Sequence, residues 1–510
     1  MSRMMVEPWP TLSGVRGWLC AVSVFAAGFV GRIAAWGMVL HVSPLPLAGM
    51  ADDAQVRTIG EAARRVRAGD TVLIHGGIYR ETVVVEADGR ADAPIRFVAA
   101  PGARVVVTGA DEIKGWRKEP DGSFSVEWPH RFITWNKAGT HPDDAFHRLI
   151  GRAEQVFILD YPLRQVLSRD TLAAGTFWAD LDGKRLYVKT ADGRDLSAKP
   201  LLAEGSTRDL LWHVKGAHVH VKGIRFRYAA NMAQRGAARF EGPHGLIEDC
   251  TFERINSSGA WFGGPNLTVR RCVFQDNGQL GFSAKNAHGL RMSECLVRNN
   301  NVKGFNRHWE AGGNKIVLSR NVILENSRFV ENRGIGVWFD IGNENCTVRN
   351  CLIADNEDAG IFYEISYSLH AHDNVITGNG FAATPGAWGA SAGIALSSSP
   401  RCLIERNLLV GNREGLAFRE QTRTTPLIDD KTERPVWNHD QLIRSNLIAY
   451  NRDAQVWGWF DVADGRHWPR ARQTQEERAA NAAELALENL NIRFEDNIYH
   501  AGVGHGFFHW

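Results

Sequence analysis

The sequence has almost no surplus of charge. Its 59 Lys and Arg nearly cancel its 57 Asp and Glu, leaving a formal charge of +2. A dedicated nucleic-acid binder would carry a larger basic excess arranged as a stripe, so that class is excluded. Cysteine is scarce: there are seven, with no CxxC, no Cys/His zinc spacing and no dense disulfide framework. No cluster of metal-ligand type and no cofactor motif is evident, so no cofactor is expected. Proline is low at 18. Long apolar runs are confined to the N-terminus.

What is abundant is glycine, at 51 of 510 residues, and apolar side chains, at 44%. That apolar content fills a large core and is too high for a disordered chain. The length exceeds one ordinary compact domain, which leaves several units or one elongated repeat architecture. Many glycines with few prolines suit short strands joined by tight turns.

Residues 1–51 read as a signal peptide or membrane anchor. Arg3 and Arg16 precede an apolar stretch from Trp18 to Val30, and a second runs from Ile33 to Val42, split from the first by Arg32. Small residues at Gly49 and Ala51, just before Asp52-Asp53, resemble a cleavage site. In the competing reading, Trp18 to Leu40 nearly spans a bilayer if Arg32 snorkels. Either way the protein is expected to be exported, periplasmic or extracellular, and to meet a membrane only through this segment. A monomer is expected.

From about residue 245 a short pattern recurs: a polar residue, Asn or Cys, any residue, an aliphatic or Phe, then Asn. Arg271-Cys272-Val273-Phe274 to Asn277 and Asn350-Cys351-Leu352-Ile353 to Asn356 are instances. The second position of the motif falls at 250, 272, 295, 327, 351, 374, 407 and 446, a base period of 22 to 24 with insertions. A unit this short cannot hold a helix pair. Its runs are two or three strands of three to five residues, split by Asn and Gly turns, so the fold is a solenoid. Equivalent positions of successive coils then stack, with Asn side chains bonding along the axis. Cys250, Cys272, Cys295 and Cys351 share one register, and Cys346 and Cys402 share another with Leu267, Leu290, Val322 and Leu369. Both are core positions, which favours small buried hydrophobes over disulfides.

This repeat resembles the pectate-lyase-like superfamily. The resemblance implies an all-β, right-handed parallel β-helix over residues 52 to 510. The expected organisation is an N-terminal helical cap and first coils over 52–111, the cap helix running from Thr58 to Arg67. An inserted antiparallel β subdomain over 112–205 follows, signalled by Phe177–Asp180 and Arg185–Val188 around an Asp182-Gly183 turn. The main β-helix with groove loops then covers 206–462, and a helical segment with a last coil covers 463–510.

Aligning coils against one another exposes columns. Thirteen residues beyond the repeat position lie Gly263, Lys285, His308, Asp340 and Glu364; aligning the next coils by glycine adds Ser397 and Arg419. Positions 10 and 12 are mostly apolar and point inward, so 11 and 13 point outward. Position 11 reads Trp261, Ser283, Asn306, Trp338, Phe362, Ala395 and Ala417. Charged outward positions are ordinarily just solvated. Like charges on adjacent rungs cost stability, however, and Trp261, Trp338 and Phe362 flank these.

Asp340 and Glu364 should therefore be neighbouring rungs about 4.8 Å apart, with at least one raised pKa. That suits a nucleophile beside a general acid, and the spacing favours a retaining over an inverting glycosidase. Glu310 is a third candidate carboxylate, with a salt bridge to Lys315 as its structural alternative. Lys285, His308, Trp338, Phe362, Tyr363, Lys315, Arg419 and Trp261 are candidate substrate-binding residues. Three insertions should wall a groove: one right after His308 with Trp309, Glu310, Asn314 and Lys315, one before Gly393 with Trp388, and one from Glu420 to Asp440 with Trp437, His439 and Asp440.

The segments Gly336-Val337-Trp338-Phe339-Asp340 and Gly360-Ile361-Phe362-Tyr363-Glu364-Ile365 resemble the paired strands of β-helix glycoside hydrolases of the β-xylosidase type. That resemblance implies an Asp nucleophile at Asp340, a Glu acid/base at Glu364, and a poly- or oligosaccharide substrate. The rival reading on the same fold is a uronate-polysaccharide lyase or C5-epimerase. It would use Lys285, Arg307, His308, Lys315 or Arg419 as base or cation, with Ca²⁺ on Glu310 and Asp340. A non-catalytic carbohydrate-binding β-helix is the third.

Overall fold

In a computed structural model, the described residues are 37–135, 148–198, 202–383, 391–421, 423–460, 487–502 and 506–510. They form three long parallel sheets of 14, 12 and 12 strands, joined by two small, mostly antiparallel sheets and one hairpin. Each coil contributes one short strand to each long sheet. Leu246–Glu248, Thr251–Glu253 and Ser258–Phe262 are one such set, paired with Thr268–Arg270, Val273–Gln275 and Leu280–Lys285 of the next coil.

The repeat motif makes the corner between the first two sheets. Its polar leading residue takes the left-handed conformation in coil after coil: Asp249, Arg271, Glu294, Asn326, Asn350, Asp373, Arg406 and Ser445 all have φ of 50–56°. Asp and Asn tolerate that region best, which is why they recur there. The following Cys, Ser or Asn turns inward. Asn374 Nδ2 donates to Asn407 Oδ1, Asn407 to Asn446 and Asn446 to Asn497, each at 2.9–3.0 Å. A second ladder five residues on runs Asn277, Asn300, Asn332, Asn356, Asn379, Asn412, Asn451. The amides of these two ladders are thus partnered, so the corners cost little desolvation.

Between the sheets lies one continuous apolar core. Phe226, Phe252 and Phe274 stack at 5.0 and 4.9 Å between centroids. Cys250, Cys272, Cys295, Cys346, Cys351 and Cys402 are all free thiols and all buried in this core.

The N-terminal end is closed by helix α1 (Ile59–Arg65), whose Ile59, Ala62 and Ala63 are buried. Thr58 caps it by accepting from Glu61 N, and Glu81 accepts from Ile59 N and Gly60 N. One boundary needs correction. Val39–Val42 lies within the expected leader 1–51, yet it pairs in parallel with Thr71–Ile74, and Leu40 and Val42 are fully buried in the core. Cleavage after Ala51 would remove a core strand, so the solenoid begins before residue 52. Residues 1–36, and most of the helix expected over 463–490, lie outside the described residues; Leu487–Leu490 is a short helix. Among the described residues no helix is long and apolar enough to cross a membrane.

The insertion has its own core of Trp116, Phe124, Trp128, Phe177, Leu186 and Val188. Thr176–Asp180 and Arg185–Lys189 pair antiparallel, with Gly183 N donating to Asp180 Oδ1 in the turn. Phe157 stacks on Tyr228, fastening the insertion to the solenoid.

Candidate active site

The third sheet presents the site on its outer face. Eight consecutive strands matter: β1 (Gly236–Phe240), β2 (Ser258–Phe262), β3 (Leu280–Lys285), β4 (Gly312–Val317), β5 (Val337–Asp340), β6 (Ile361–Glu364), β7 (Ala392–Ser397) and β8 (Glu414–Glu420). Phe339 and Tyr363 face the core, so Asp340 and Glu364 face outward by alternation. Trp338 pairs with Phe362 and Phe339 with Tyr363, a register that carries Asp340 onto Glu364; Glu364 then pairs with Ser397 and Ser397 with Arg419.

One rung differs from expectation. The residue between Lys285 and Asp340 is Val317, not His308, and the residue between Ser283 and Trp338 is Lys315, not Asn306. The extra residues of this coil precede the strand rather than follow it. His308 lies in the short helix α2 (Arg307–Glu310), while Asn314 and Lys315 belong to β4. The glycine column would have set the register: a Cβ at Gly281 would meet Gly313 O, and one at Gly313 would meet Gly336 O. That close stacking is why glycine recurs there.

Asp340 and Glu364 are 6% and 3% exposed. Lys315, also buried, places Nζ 2.8 Å from Asp340 Oδ2, 3.4 Å from Glu310 Oε1 and 4.2 Å from the centre of the Trp338 ring. Asp340 Oδ1 is buried with no hydrogen-bond partner among the described residues. Glu364 Oε1 lies 2.9 Å from Arg423 and 3.8 Å from Arg419. Burial, and then the charge of Asp340, push the Glu364 carboxyl above its usual range, against the opposing pull of Arg423, Lys315 and Arg419. Glu310 is raised too, chiefly by burial and against Lys315.

Helix α2 brings Glu310 to this cluster. Asn306 caps it by accepting from His308 N, Gln279 Nε2 donates to Glu310 O at 2.7 Å, and Arg307 pairs with Glu357 at 3.3 Å and Asp358 at 3.4 Å. Trp309 meets Trp135 of the insertion edge-on, 5.2 Å between centroids. Burial, then the charges of Arg307 and Arg419, hold the His308 imidazole below its usual pKa.

The remaining candidates divide. Trp338 and Phe362 lie on the outer face, but in a closed apolar cluster with Ile335, Ala359, Ala392, Ala395 and Ala417, and both are at most 1% exposed. They support the acids from beneath rather than stand open beside them. Tyr363 is not a substrate contact, because its ring is in the central core and its hydroxyl donates to Tyr367 O. Trp261 is half-buried on the outer face, and Lys285 is exposed two rungs from Asp340.

The insertion with Trp388 lies outside the described residues. Of the insertion after Arg419, Trp437 packs against the core and Asp440 accepts from Asn491, so these residues serve the solenoid's end rather than a groove wall. The same insertion carries the hairpin Arg423–Pro426 and Glu433–Val436, and it delivers Arg423, which sequence columns could not reveal because it belongs to no coil strand. Among the described residues no group of three or more His, Cys, Asp or Glu is disposed to hold a metal ion.

Comparison with known proteins agrees with this architecture. The family described as right handed beta helix region matches residues 213–319 and 305–409. Among solved structures, the complex of XylC with xylose is 16% identical, with 92% of this chain and 86% of that one covered and a TM-score of 0.68. The fold is a right-handed parallel β-helix. A structure described as a glycoside hydrolase covers 76% of this β-helix chain and 95% of its own at 14% identity and a TM-score of 0.48. The periplasmic alginate epimerase AlgG covers 87% and 83% at 11% identity and 0.45. No curated protein matches the sequence.

Proposed function

We propose that this β-helix protein is a retaining glycoside hydrolase acting on a poly- or oligosaccharide outside the cytoplasm, as a monomer and without a cofactor. The observation that carries the reading is the pair of buried acids on adjacent rungs with unlike surroundings. Asp340 is ion-paired through Oδ2 while Oδ1 stays unsatisfied, and Glu364 is pushed toward its protonated form. Environments that set two carboxyls apart assign acid and nucleophile.

Asp340 Oδ1 attacks the anomeric carbon while Glu364 gives its proton to the departing glycosidic oxygen. In the second half, Glu364 takes a proton from water, whose oxygen displaces Asp340. Rungs about 4.8 Å apart suit this double displacement better than a water held between the acids. Lys315 stabilises the Asp340 carboxylate as it leaves the sugar, and Glu310 holds Lys315 in place. The bound xylose of XylC makes β-xylosides a first substrate to try.

The test is a panel of aryl glycosides, followed by product stereochemistry by NMR. Asp340→Asn should abolish turnover of every aryl glycoside. Glu364→Gln should cost about 10²–10⁴-fold, and most for poor leaving groups. One observation favours a lyase or epimerase: His308, depressed toward its neutral form, stands near the cation Arg419, a base beside a carboxylate anchor. That reading predicts an ultraviolet-absorbing unsaturated uronate, or C5 inversion, from acidic polysaccharides and silence on aryl glycosides.

A further inference from the structure

The outer column that holds Lys315 and Trp338 continues toward the N-terminus through Ser283 and Trp261 to Arg239 on β1. Arg239 lies four rungs from Asp340, roughly 19 Å at the spacing of parallel strands. There it lines a cleft of about 540 Å³ between the solenoid and the inserted subdomain, with Arg131, Arg235, Thr207, Phe132 and Met232. Three arginines line this space, and among the described residues none has a carboxylate within ion-pair distance. Asp209, which lines the cleft, and Glu241, 3.1 Å from His213, both attract Arg239, but neither lies within ion-pair distance of it. Arg239 spends one donor on Gly236 O and keeps its fork free. Burial and the Arg235 charge hold its guanidinium below the usual pKa, a cost that an arriving anion would relieve. Arg131 and Arg235 are exposed and Arg239 is half-buried, so the cleft presents three like charges with no ion-paired carboxylate, a field that attracts an anion.

We propose that the Arg131–Arg235–Arg239 cleft is an anionic subsite, and that the substrate is an oligosaccharide spanning several sugars along the sheet with an acidic substituent at this end. The inference rests on the proposed glycosidase reading, since it names the substrate class of that site. Half-buried Trp261, between the cleft and the acids, offers the indole face over which an intervening sugar would pass. Planar guanidinium forks grip carboxylate and sulfate alike, so the ligand chemistry is an oxyanion on a sugar.

The experiment uses the full chain carrying Asp340→Asn, which binds without turning over. Calorimetry compares neutral, uronate-bearing and sulfated oligosaccharides of equal length, at two salt concentrations. One acidic series should bind at least about tenfold tighter than the neutral one, a gain that weakens with salt. Adding Arg235→Gln and Arg239→Gln should erase the difference while neutral binding and melting temperature hold. Which acid is preferred identifies carboxylate or sulfate. Equal binding of neutral and acidic ligands, or a preference that survives both substitutions, overturns the subsite. If the arginine-dependent preference holds but the unsubstituted enzyme yields unsaturated uronates, the hydrolase reading fails and the subsite stands.

Discussion

A carboxyl group buried away from any cation keeps its proton, and Glu420 is such a group. It is fully buried, accepts from Ser398 Oγ and Asn438 N, and is pushed up to about 8, chiefly by burial. Its folded pKa lies above its unfolded one, so the folded chain binds the proton more tightly. The stability this gives is complete at acid pH and is lost as pH rises toward and through 8. Glu420→Gln can turn its amide nitrogen to Ser398 and its oxygen to Asn438. The variant should therefore melt higher than the parent above pH 8 and show a flatter dependence of melting temperature on pH, read by calorimetry. Lys315 makes a second residue-scale prediction. It pulls the Glu364 pKa down, so Lys315→Met should shift the alkaline limb of the kcat/KM profile upward while lowering the maximum at least about tenfold, the loss of one buried charge partner.

At the scale of elements, the corners carry the register. Asn356 donates to Phe329 O and Asn379 Oδ1 and accepts from Asn332, so Asn356→Ala leaves several buried groups unsatisfied at once. Urea unfolding should show a loss of about 1–3 kcal/mol. These same corners were the legible part of the sequence, because a side chain that must bond its copy one coil away recurs at a fixed interval. The Asp340–Glu364 rung was readable for that reason, with no insertion between the two strands and their corner. Val317 and Lys315 stand where His308 and Asn306 were expected, because counting onward from Cys295 assumes the extra residues follow the strand. Arg423 left no trace, since a hairpin reaching back across two coils obeys no repeat. Nor could alternation alone tell that Trp338 and Phe362 would be covered: it gives the face of a sheet, not what lies over it.

Helix α2 is the element that joins this face to the inserted subdomain. Arg307→Ala removes its ties to Glu357 and Asp358. We expect kcat to fall by a larger factor than the modest loss of stability from leaving buried Asp358 without its cation, because Asp358, already raised to about 6, can take up a proton. Equal losses in activity and stability would mean that α2 is part of the scaffold rather than a holder of Glu310.

For the whole molecule, the first strand decides where the solenoid begins. Val39–Val42 covers Thr71–Ile74, which would otherwise be a bare edge ready to pair with another chain. A chain started at Gly37 should stay dispersed and fold cooperatively, whereas one started at Asp52 should aggregate, as light scattering during refolding would report. The insertion interrupts the solenoid between early coils yet keeps its own core.

The Arg423 hairpin has a consequence of another kind. It issues from the stack two windings past Glu364 and reaches back to touch it. The proton affinity of the acid, set first by burial and by Asp340, is thereby lowered by a cation on an arm that belongs to no coil strand. Exchanging that one guanidinium would let descendants, or engineers, move the acidity of Glu364 while the packing of the stacked coils stays as it is.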